Sequence, residues 1–189
     1  MSLKMLTKLA DIVGKLKSVK RSGWVSHVGV QRPESVADHS FRCAVLAMII
    51  SDLSNVNTEK LIRMMLLHDI QEAITGDFDS YTKKQLGIQK VKSQQRSALG
   101  EILSILPPKL RSYYRSLWDE VQAKRTAEAI LANDIDKIEM VIQALEYEKE
   151  GYDSSKLDVF WENTENKIKT PLILNLFHFL LNLRENKRP

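Results

Sequence analysis

The stretch LLHDIQEAITGD, residues 66–77, carries an imidazole and three carboxylates in a segment that begins as an apolar run. Burying a charged carboxylate is unfavourable unless a partner or a cation compensates it. His68 and Asp69 are adjacent, and Glu72 follows four residues after the first and three after the second. On a helix these spacings make Glu72 a neighbour of both. The segment therefore predicts a buried polar network or a bound cation, with Glu72 placed to move a proton or to orient a water.

Two other apolar segments contribute the same residue types, because His39 stands in VADHSF and both Asp134 and Asp136 stand in LANDIDKIE. Imidazole nitrogen with carboxylate oxygen suits Mn²⁺, Fe²⁺, Co²⁺, Ni²⁺ or Zn²⁺, whereas sites made only of oxygen suit Ca²⁺ or Mg²⁺. The chain has one cysteine, Cys43, so a structural zinc site built from several thiolates is excluded. Taken separately, each residue also fits a structural role, as a hydrogen-bonded core histidine or a solvated carboxylate.

Helical periodicity runs along the chain and predicts an all-α fold without a strand pair or a repeat. The predicted helices cover about residues 1–20, 37–53, 58–76, 88–105, 109–123, 126–150, 154–166 and 171–186, with a polar loop at 78–87. Gly76 and Gly151 stand at two of the predicted ends, where glycine is the preferred residue. We expect a single-domain helical bundle spanning residues 1–189, with a core of about 20–150 on which helices between 154 and 186 pack.

Composition narrows the classes of function. The 189 residues are 43% hydrophobic, which suits one domain with a sizeable core. Lys and Arg number 28 against 24 Asp and Glu, and this slight, dispersed excess predicts no nucleic-acid partner while suiting a small anionic substrate. No apolar run reaches the length of a membrane span, so no membrane partner is expected. A single cysteine that reads as a core residue fits the reducing cytoplasm.

The order His, His-Asp, Asp resembles the HD-domain metal-dependent phosphohydrolases. The longer stretches RSGWVSHVGVQRPESVADHSFR, LLHDIQEAITGD and NDIDKIEMVIQALEYE look like the 5′-deoxynucleotidase group of that family, in matching order from about residue 20 to about residue 150. The resemblance implies an all-α bundle of the HD-domain type, a bound divalent metal such as manganese or cobalt, and assembly as a homodimer. It also implies hydrolysis of deoxyribonucleoside 5′-monophosphates to deoxynucleoside and phosphate.

The resemblance also assigns roles to individual residues. The implied ligands of a first metal ion are His39, His68, Asp69 and Asp136. A second, harder ion such as Mg²⁺ is implied at Glu72, Asp77 and the backbone carbonyl of Phe78. The implied catalytic residues are Glu72 and Asp69, and the implied substrate-binding residues are Arg21, Trp24, Glu34, Ser35 and Asp77.

Periodicity and motif disagree about the carboxylate of the 126–150 helix. The apolar stripe of that helix consists of Leu131, Ile135, Ile138, Ile142 and Leu145. At about 100° per residue, Asp134 lies nearer this stripe than Asp136, which favours Asp134 as the inward carboxylate. The motif DKIEM instead places the ligand at Asp136. We follow the motif, because a ligand that faces a pocket need not lie at the centre of a core stripe, and we retain Asp134 as the alternative.

The expected chemistry follows from charge. A divalent ion neutralises the phosphate oxygens and acidifies a water, which Asp69 can orient while Glu72 moves a proton. Arg21 can hold the phosphate with its fork of donors, and Trp24 can pack against the sugar and favour the deoxy form. Two alternatives stay open: an HD-type phosphodiesterase acting on cyclic or signalling nucleotides, and a non-catalytic helical interaction module. Metal content separates the module from the enzymes, and phosphate release from a panel of nucleotides separates the enzymes.

Overall fold

The computed structural model describes residues 2–162 and 164–186. Over these residues it contains ten α-helices and no β-strand, and a single antiparallel bridge pairs Lys20 with Ser35. The helices are α1 (Leu3–Gly14), α2 (Val36–Asp52), α3 (Thr58–Leu67), α4 (Glu72–Thr75), α5 (Ser80–Leu86), α6 (Ile88–Ser104), α7 (Pro108–Ala123), α8 (Ala127–Lys149), α9 (Ser154–Trp161) and α10 (Pro171–Glu185). The all-α prediction is confirmed.

Side-chain caps set the start of the helices that carry the polar residues. Ser35 begins α2 in a capping box: its hydroxyl accepts from the Asp38 amide, and the Asp38 carboxylate accepts from the Ser35 amide. The Asn57 side chain caps α3 by accepting from the Lys60 amide, and the Thr126 side chain caps α8 by accepting from the Ala129 amide. These caps satisfy amide groups that have no partner within the helix, and they fix the residue at which each helix begins.

Helix α8 is the centre of the bundle, with α2, α3, α7, α9 and α10 packed around it. The buried side chains divide into two clusters. The first cluster surrounds α8 and includes Leu61, Met64, Met65, Ile135 and Ile138. The second cluster joins the end of the N-terminal segment to α4, α6 and α7 and includes Leu16, Ile70, Leu99, Ile102 and Trp118. Leu67 and Tyr114 pack against both clusters, so the seam between them runs beside the end of α3.

The prediction of one continuous helix over residues 58–76 is wrong, because α3 ends at Leu67 and α4 begins only at Glu72. Between them the chain makes a tight turn, in which the Ile70 amide donates to the Leu67 carbonyl at 3.2 Å and the Glu72 amide to the Asp69 carbonyl at 3.0 Å. Side chains before the turn belong to the first cluster and side chains after it to the second. The break redirects the chain from one core to the other, and Gly76 ends α4 at a φ of +71°, as predicted.

Three further element boundaries differ from the prediction. The first helix, predicted over about residues 1–20, ends at Gly14, and a 3₁₀ turn follows at Lys15–Lys17. Residues 80–86 form α5 rather than loop, because the Asp79 carboxylate accepts from the Thr82 amide at 2.7 Å and caps the helix. The helix predicted over 154–166 ends at Trp161, and a 3₁₀ turn follows at Glu165–Lys167. Asn163, which lies between α9 and this 3₁₀ turn, is outside the described residues. Met1, the first residue of the first predicted helix, is outside them too.

Membrane insertion finds no support in the helices. Within the described ranges, each helix is too short or too polar to cross a bilayer.

Asp134 binds the backbone of the segment that leads into α10. Its side chain is fully buried, and its Oδ2 atom accepts from the backbone amides of Lys169 at 2.9 Å and Thr170 at 2.7 Å. Those amides precede Pro171, the first residue of α10. The carboxylate that periodicity placed toward the core is therefore a structural acceptor for the backbone.

We expect Asp134→Ala to lower the free energy of unfolding by about 3 kcal/mol, because the backbone amides of Lys169 and Thr170 lose their shared charged acceptor. Urea denaturation measures the change. Asp134→Asn keeps an acceptor oxygen and should lose clearly less. Equal losses in the two variants would contradict the capping role.

Candidate metal centre

Four donor atoms from three parts of the chain converge at the seam. His39 lies one turn into α2, His68 and Asp69 occupy the turn after α3, and Asp136 lies midway along α8. The Nε2 atom of His39 is 3.2 Å from His68 Nε2, 3.2 Å from Asp136 Oδ1 and 3.8 Å from Asp69 Oδ2. The Nε2 atom of His68 is 3.2 Å from Asp69 Oδ2 and 4.0 Å from Asp136 Oδ1. Donors about 2.0–2.2 Å from one ion, as in zinc sites, stand about this far from each other.

Both imidazoles are turned so that Nε2 faces this centre. His68 Nδ1 donates to the Met65 carbonyl at 2.6 Å, and His39 Nδ1 donates to the Glu139 carboxylate. In neutral imidazoles each Nε2 then carries a lone pair, and two lone pairs beside two carboxylates repel unless a cation or a proton lies among them. Burial alone would lower the pKa of His68, but the facing carboxylates of Asp69 and Asp136 raise it. The arrangement fits a divalent cation with nitrogen and oxygen ligands.

A buried network that sequence reasoning missed supports His39 from behind. Glu139 is fully buried, its Oε1 accepts from Arg42 Nε at 2.8 Å, and Arg42 Nη1 reaches Glu146 at 2.8 Å. Burial opposes ionisation, but His39 and Arg42 hold the pKa of Glu139 below its usual value. A carboxylate that orients a metal-binding histidine raises its basicity as a ligand. The available signal was Glu139 itself, an acidic residue directly after Ile138 of the apolar stripe.

Cys43 lies close to the centre, and its Sγ atom is within 4.8 Å of a ring nitrogen of both His39 and His68. The Sγ atom is 3.7 Å from His39 Nε2, and the residue is fully buried. Burial raises the pKa of the Cys43 thiol to about 12. Its role as a core residue, expected from the sequence, agrees with this environment.

The two carboxylates that the sequence left in competition have different surroundings. The structure brings Asp136 to the histidine pair, whereas Asp134 points to the backbone before α10. Periodicity correctly identified the more deeply buried residue, since Asp134 is fully buried and the Asp136 side chain is 40% exposed. The position of Asp136 beside the histidines is the one that the motif predicts for a ligand, and its role as a ligand stays a prediction.

Glu72 and Arg21 complete the surroundings of the centre with opposite properties. Glu72 is 4% exposed, and among the described residues its Oε2 atom has no hydrogen-bond partner. Burial, with the negative charges of Asp69 and Asp77, raises the pKa of Glu72 well above its usual value. Arg21 directs Nη1 toward Asp69 Oδ2 at 3.5 Å. The site thus offers a carboxyl group with a raised pKa and a fixed cation, Arg21, in one cleft.

These groups open into a cleft of about 440 Å³. Its lining includes the polar residues Arg21, His68, Asp69, Glu72, Asp77 and Asp136. Asp77 also anchors the segment that carries Arg21, because its Oδ2 atom accepts from the Ser22 amide at 2.6 Å and the Ser22 hydroxyl at 2.9 Å. One Asp77 oxygen is therefore engaged by the protein itself.

A second cavity of about 380 Å³ adjoins the first and shares Arg21, Asp77, Lys83 and Met140 with it. Its walls include Trp24, His27, Phe78 and Phe160. The Trp24 side chain is 2% exposed, its ring lies 4.1 Å from that of Phe160, and its Nε1 donates to Glu34 at 2.9 Å. A rigid aromatic wall next to a metal cleft is suited to the sugar and base of a nucleotide.

Glu34 and Ser35, expected to bind substrate, line neither of these two cavities. Glu34 holds Trp24, and burial with the nearby Glu139 raises the pKa of Glu34 to about 7. Ser35 is engaged in the capping box of α2. The structure therefore gives both residues contacts that position other groups.

Comparison with known proteins agrees with this fold. The family model of the HD domain matches residues 13–173. The human protein 5′-deoxynucleotidase HDDC2 is 37% identical over 90% of this chain and 82% of its own length. The yeast protein 5′-deoxynucleotidase YGK1 (Saccharomyces cerevisiae) is 34% identical over 93% of this chain and 81% of its own length.

Solved structures show the same architecture. A conserved hypothetical protein from Pyrococcus furiosus superposes with a TM-score of 0.78 at 30% identity, covering 95% of this chain and 99% of its own. The PH0347 protein of Pyrococcus horikoshii gives a TM-score of 0.74 at 30% identity, covering 93% of this chain and 96% of its own. The residues matched by the family model, 13–173, include all four residues of the candidate metal centre. On this evidence the chain belongs to the HD-domain family.

Proposed function

We propose that this protein is a metal-dependent 5′-deoxynucleotidase, a phosphoric monoester hydrolase that converts deoxyribonucleoside 5′-monophosphates to deoxynucleoside and phosphate. The observation that carries the proposal is the four-donor centre that shares one cleft with Arg21 and with Glu72, whose Oε2 atom has no hydrogen-bond partner among the described residues. The relatives named 5′-deoxynucleotidase, at 37% and 34% identity over most of the chain, support the choice of substrate.

His39, His68, Asp69 and Asp136 are the proposed ligands of the first ion. Two imidazoles and two carboxylates favour Mn²⁺, Co²⁺, Fe²⁺, Ni²⁺ or Zn²⁺ over Ca²⁺ or Mg²⁺. A second, harder ion such as Mg²⁺ is proposed at Glu72, Asp77 and the Phe78 carbonyl. The orphaned Glu72 Oε2 atom supports this second position, while the engagement of Asp77 Oδ2 by Ser22 leaves the other Asp77 oxygen for it.

Each protein group has a definite task in hydrolysis. A divalent cation, when bound, neutralises the phosphate oxygens and acidifies a water. Arg21 holds the phosphate through two donors of its planar guanidinium, and Asp69 orients the water that attacks phosphorus. When the second site holds no ion, Glu72 donates its proton to the 5′ oxygen as the bond from phosphorus to that oxygen breaks. Its raised pKa keeps the proton available for that step.

The aromatic cavity is the proposed sugar and base site. Trp24 forms its rigid wall, and Glu34 fixes the indole from behind through the 2.9 Å hydrogen bond. Ser35 contributes by starting α2, the helix that carries His39. An apolar wall rejects an added hydroxyl by about 10²-fold at most, because the hydroxyl loses its water partners. This discrimination favours the deoxy sugar.

The alternative function is a phosphodiesterase that acts on cyclic or signalling nucleotides with the same metal chemistry. Phosphate release from a panel of nucleotides distinguishes the two activities.

We further propose one HD domain across the whole chain, a cytoplasmic location and a homodimer. Exposed apolar side chains on and just after α2 supply surface for such an interface: Phe41 is 70% exposed, Ile49 52% and Leu53 73%.

For the metal, we expect His68→Ala and Asp136→Ala to lose both the bound transition metal and the phosphatase activity. Cys43→Ala and Asp134→Asn are matched controls that should keep the metal, since neither residue is a proposed ligand. Elemental analysis of the purified variants measures stoichiometry. Metal loss in Asp134→Asn but not in Asp136→Ala would reverse the assignment.

For Glu72, we expect Glu72→Gln to keep the first metal and to lower kcat by about 10²–10⁴-fold, the usual contribution of a general acid. In the wild type kcat should fall as pH rises through the raised pKa of Glu72, because only the protonated form can donate. The variant has no titrating group there, so this alkaline limb should vanish. Near-full kcat at every pH would reduce Glu72 to a packing role.

For the sugar, we expect Trp24→Phe to narrow the preference for dAMP over AMP while leaving the core filled. Arg21→Ala should instead lower kcat/KM for both nucleotides alike, by about 10- to 100-fold, because a charged hydrogen bond to the shared phosphate is lost. Phosphate release from the two substrates measures both effects. Equal wild-type rates on dAMP and AMP would defeat the deoxynucleotidase assignment.

A further inference from the structure

Three lysines from three separate elements line the metal-bearing cleft: Lys92 on α6, Lys124 directly after α7, and Lys137 on α8. They do not line the adjoining aromatic cavity. Among residues 2–162 and 164–186, no carboxylate lies within 4.0 Å of their ammonium groups, and Lys137 donates only to the Asn133 carbonyl at 3.1 Å. The cleft therefore has a cationic side that lies away from the proposed sugar and base site.

The charges around the cleft exceed what a phosphate monoester neutralises. Five Lys and Arg side chains of the described residues line it against four carboxylates. A divalent cation adds two positive charges, and a phosphate monoester brings only about two negative ones. The cleft therefore keeps a net positive charge after the monoester binds, and Lys92, Lys124 and Lys137 contribute to it.

The backbone of Lys124 supports a role for its side chain. Its φ is +52°, the one positive φ at a non-glycine residue in the part of the chain that the structure describes. At the end of a helix this conformation is usually held by glycine, because a Cβ atom is strained there. The position thus combines a strained backbone with a side chain that reaches the cleft.

We infer that Lys92, Lys124 and Lys137 form a subsite for a second phosphoryl group, adjacent to the one at the metal centre. The cleft would then bind diphosphates, as the diphosphate of a nucleoside 5′-diphosphate, and such nucleotides compete with the monophosphate substrate. The inference rests on the proposed function, which places the first phosphate between the metal donors and Arg21. The aromatic cavity lies on one side of the metal centre, and the three lysines line the cleft away from that cavity. The second phosphoryl group would therefore extend away from the nucleoside.

The test compares pyrophosphate with orthophosphate as inhibitors of dAMP hydrolysis by the metal-loaded protein. Pyrophosphate should inhibit the wild type at a lower concentration than orthophosphate. The double variant Lys92→Met/Lys124→Met should raise the inhibition constant of pyrophosphate by about 10-fold, through lost contacts to charged oxygens. It should change that of orthophosphate and the KM of dAMP by less than about 3-fold, because one phosphate does not reach the subsite.

Lys90→Met is the matched control, because Lys90 is exposed on the same helix and lines neither cavity. Chelation of free metal by pyrophosphate is the same for all variants, so their differences report the lysines. A second measurement separates affinity from folding: Lys124→Gly relieves the positive φ and should keep or raise the melting temperature while weakening pyrophosphate. When dADP replaces pyrophosphate as the inhibitor, the variants should show the same order of inhibition constants if the subsite binds the diphosphate of a nucleotide.

Equal inhibition by the two anions in the wild type would overturn the inference. So would parallel losses for orthophosphate and pyrophosphate in the double variant, since the lysines would then serve the monoester phosphate. An equal effect of Lys90→Met would reduce the result to general electrostatics. Failure of the proposed function is a separate outcome: a wild type that leaves dAMP intact while calorimetry still shows lysine-dependent binding of pyrophosphate.

Discussion

The structure of the metal centre depends on the mutual repulsion of four donor atoms, because the fold holds each histidine nitrogen within 4.0 Å of the other three donors. Two imidazole nitrogens and two carboxylate oxygens have no attraction for each other when the histidines are neutral. Only a cation or a proton makes the cluster stable, and the surrounding structure determines its shape. Each histidine is therefore held from its far side, one by the Met65 carbonyl and one by Glu139. The network through Arg42 and Glu146 extends this support to the surface of α8.

The same requirement explains why the helix carrying the His-Asp pair is broken. On a continuous helix, consecutive side chains point about 100° apart, which separates an adjacent His and Asp. In the turn after α3 the His68 and Asp69 atoms come within 3.2 Å of each other. The turn also lies where the chain passes from the first hydrophobic cluster to the second. Packing of two cores thus produces the backbone geometry that the polar residues use.

Around this centre, burial and charge divide the acidic residues into distinct chemical types. Positive neighbours hold the pKa of Asp69 and Asp136 below the usual value despite burial, which keeps both ionised. Burial and the negative charges of Asp69 and Asp77 instead raise the pKa of Glu72. The pKa values of residues of one chemical class therefore shift in opposite directions according to what surrounds them. Arg21, between Asp69 and the shared wall of the two cavities, connects the ionised group to the space for substrate.

The sequence by itself determined the helical class and placed the proposed metal ligands His39, His68, Asp69 and Asp136 in three ordered motifs. Helical periodicity is a local property, so it can be recognised in each segment separately. Only the tertiary structure decided which face of α8 meets the histidines, where the helix after Thr58 breaks, and that Glu139 supports His39 across 100 residues of chain. These features come from contacts between residues far apart in sequence, and the helical period of one segment does not encode them. Asp134 marks the boundary: its burial was readable from the stripe, but its partners, the amides of Lys169 and Thr170, appear only when α10 packs against α8.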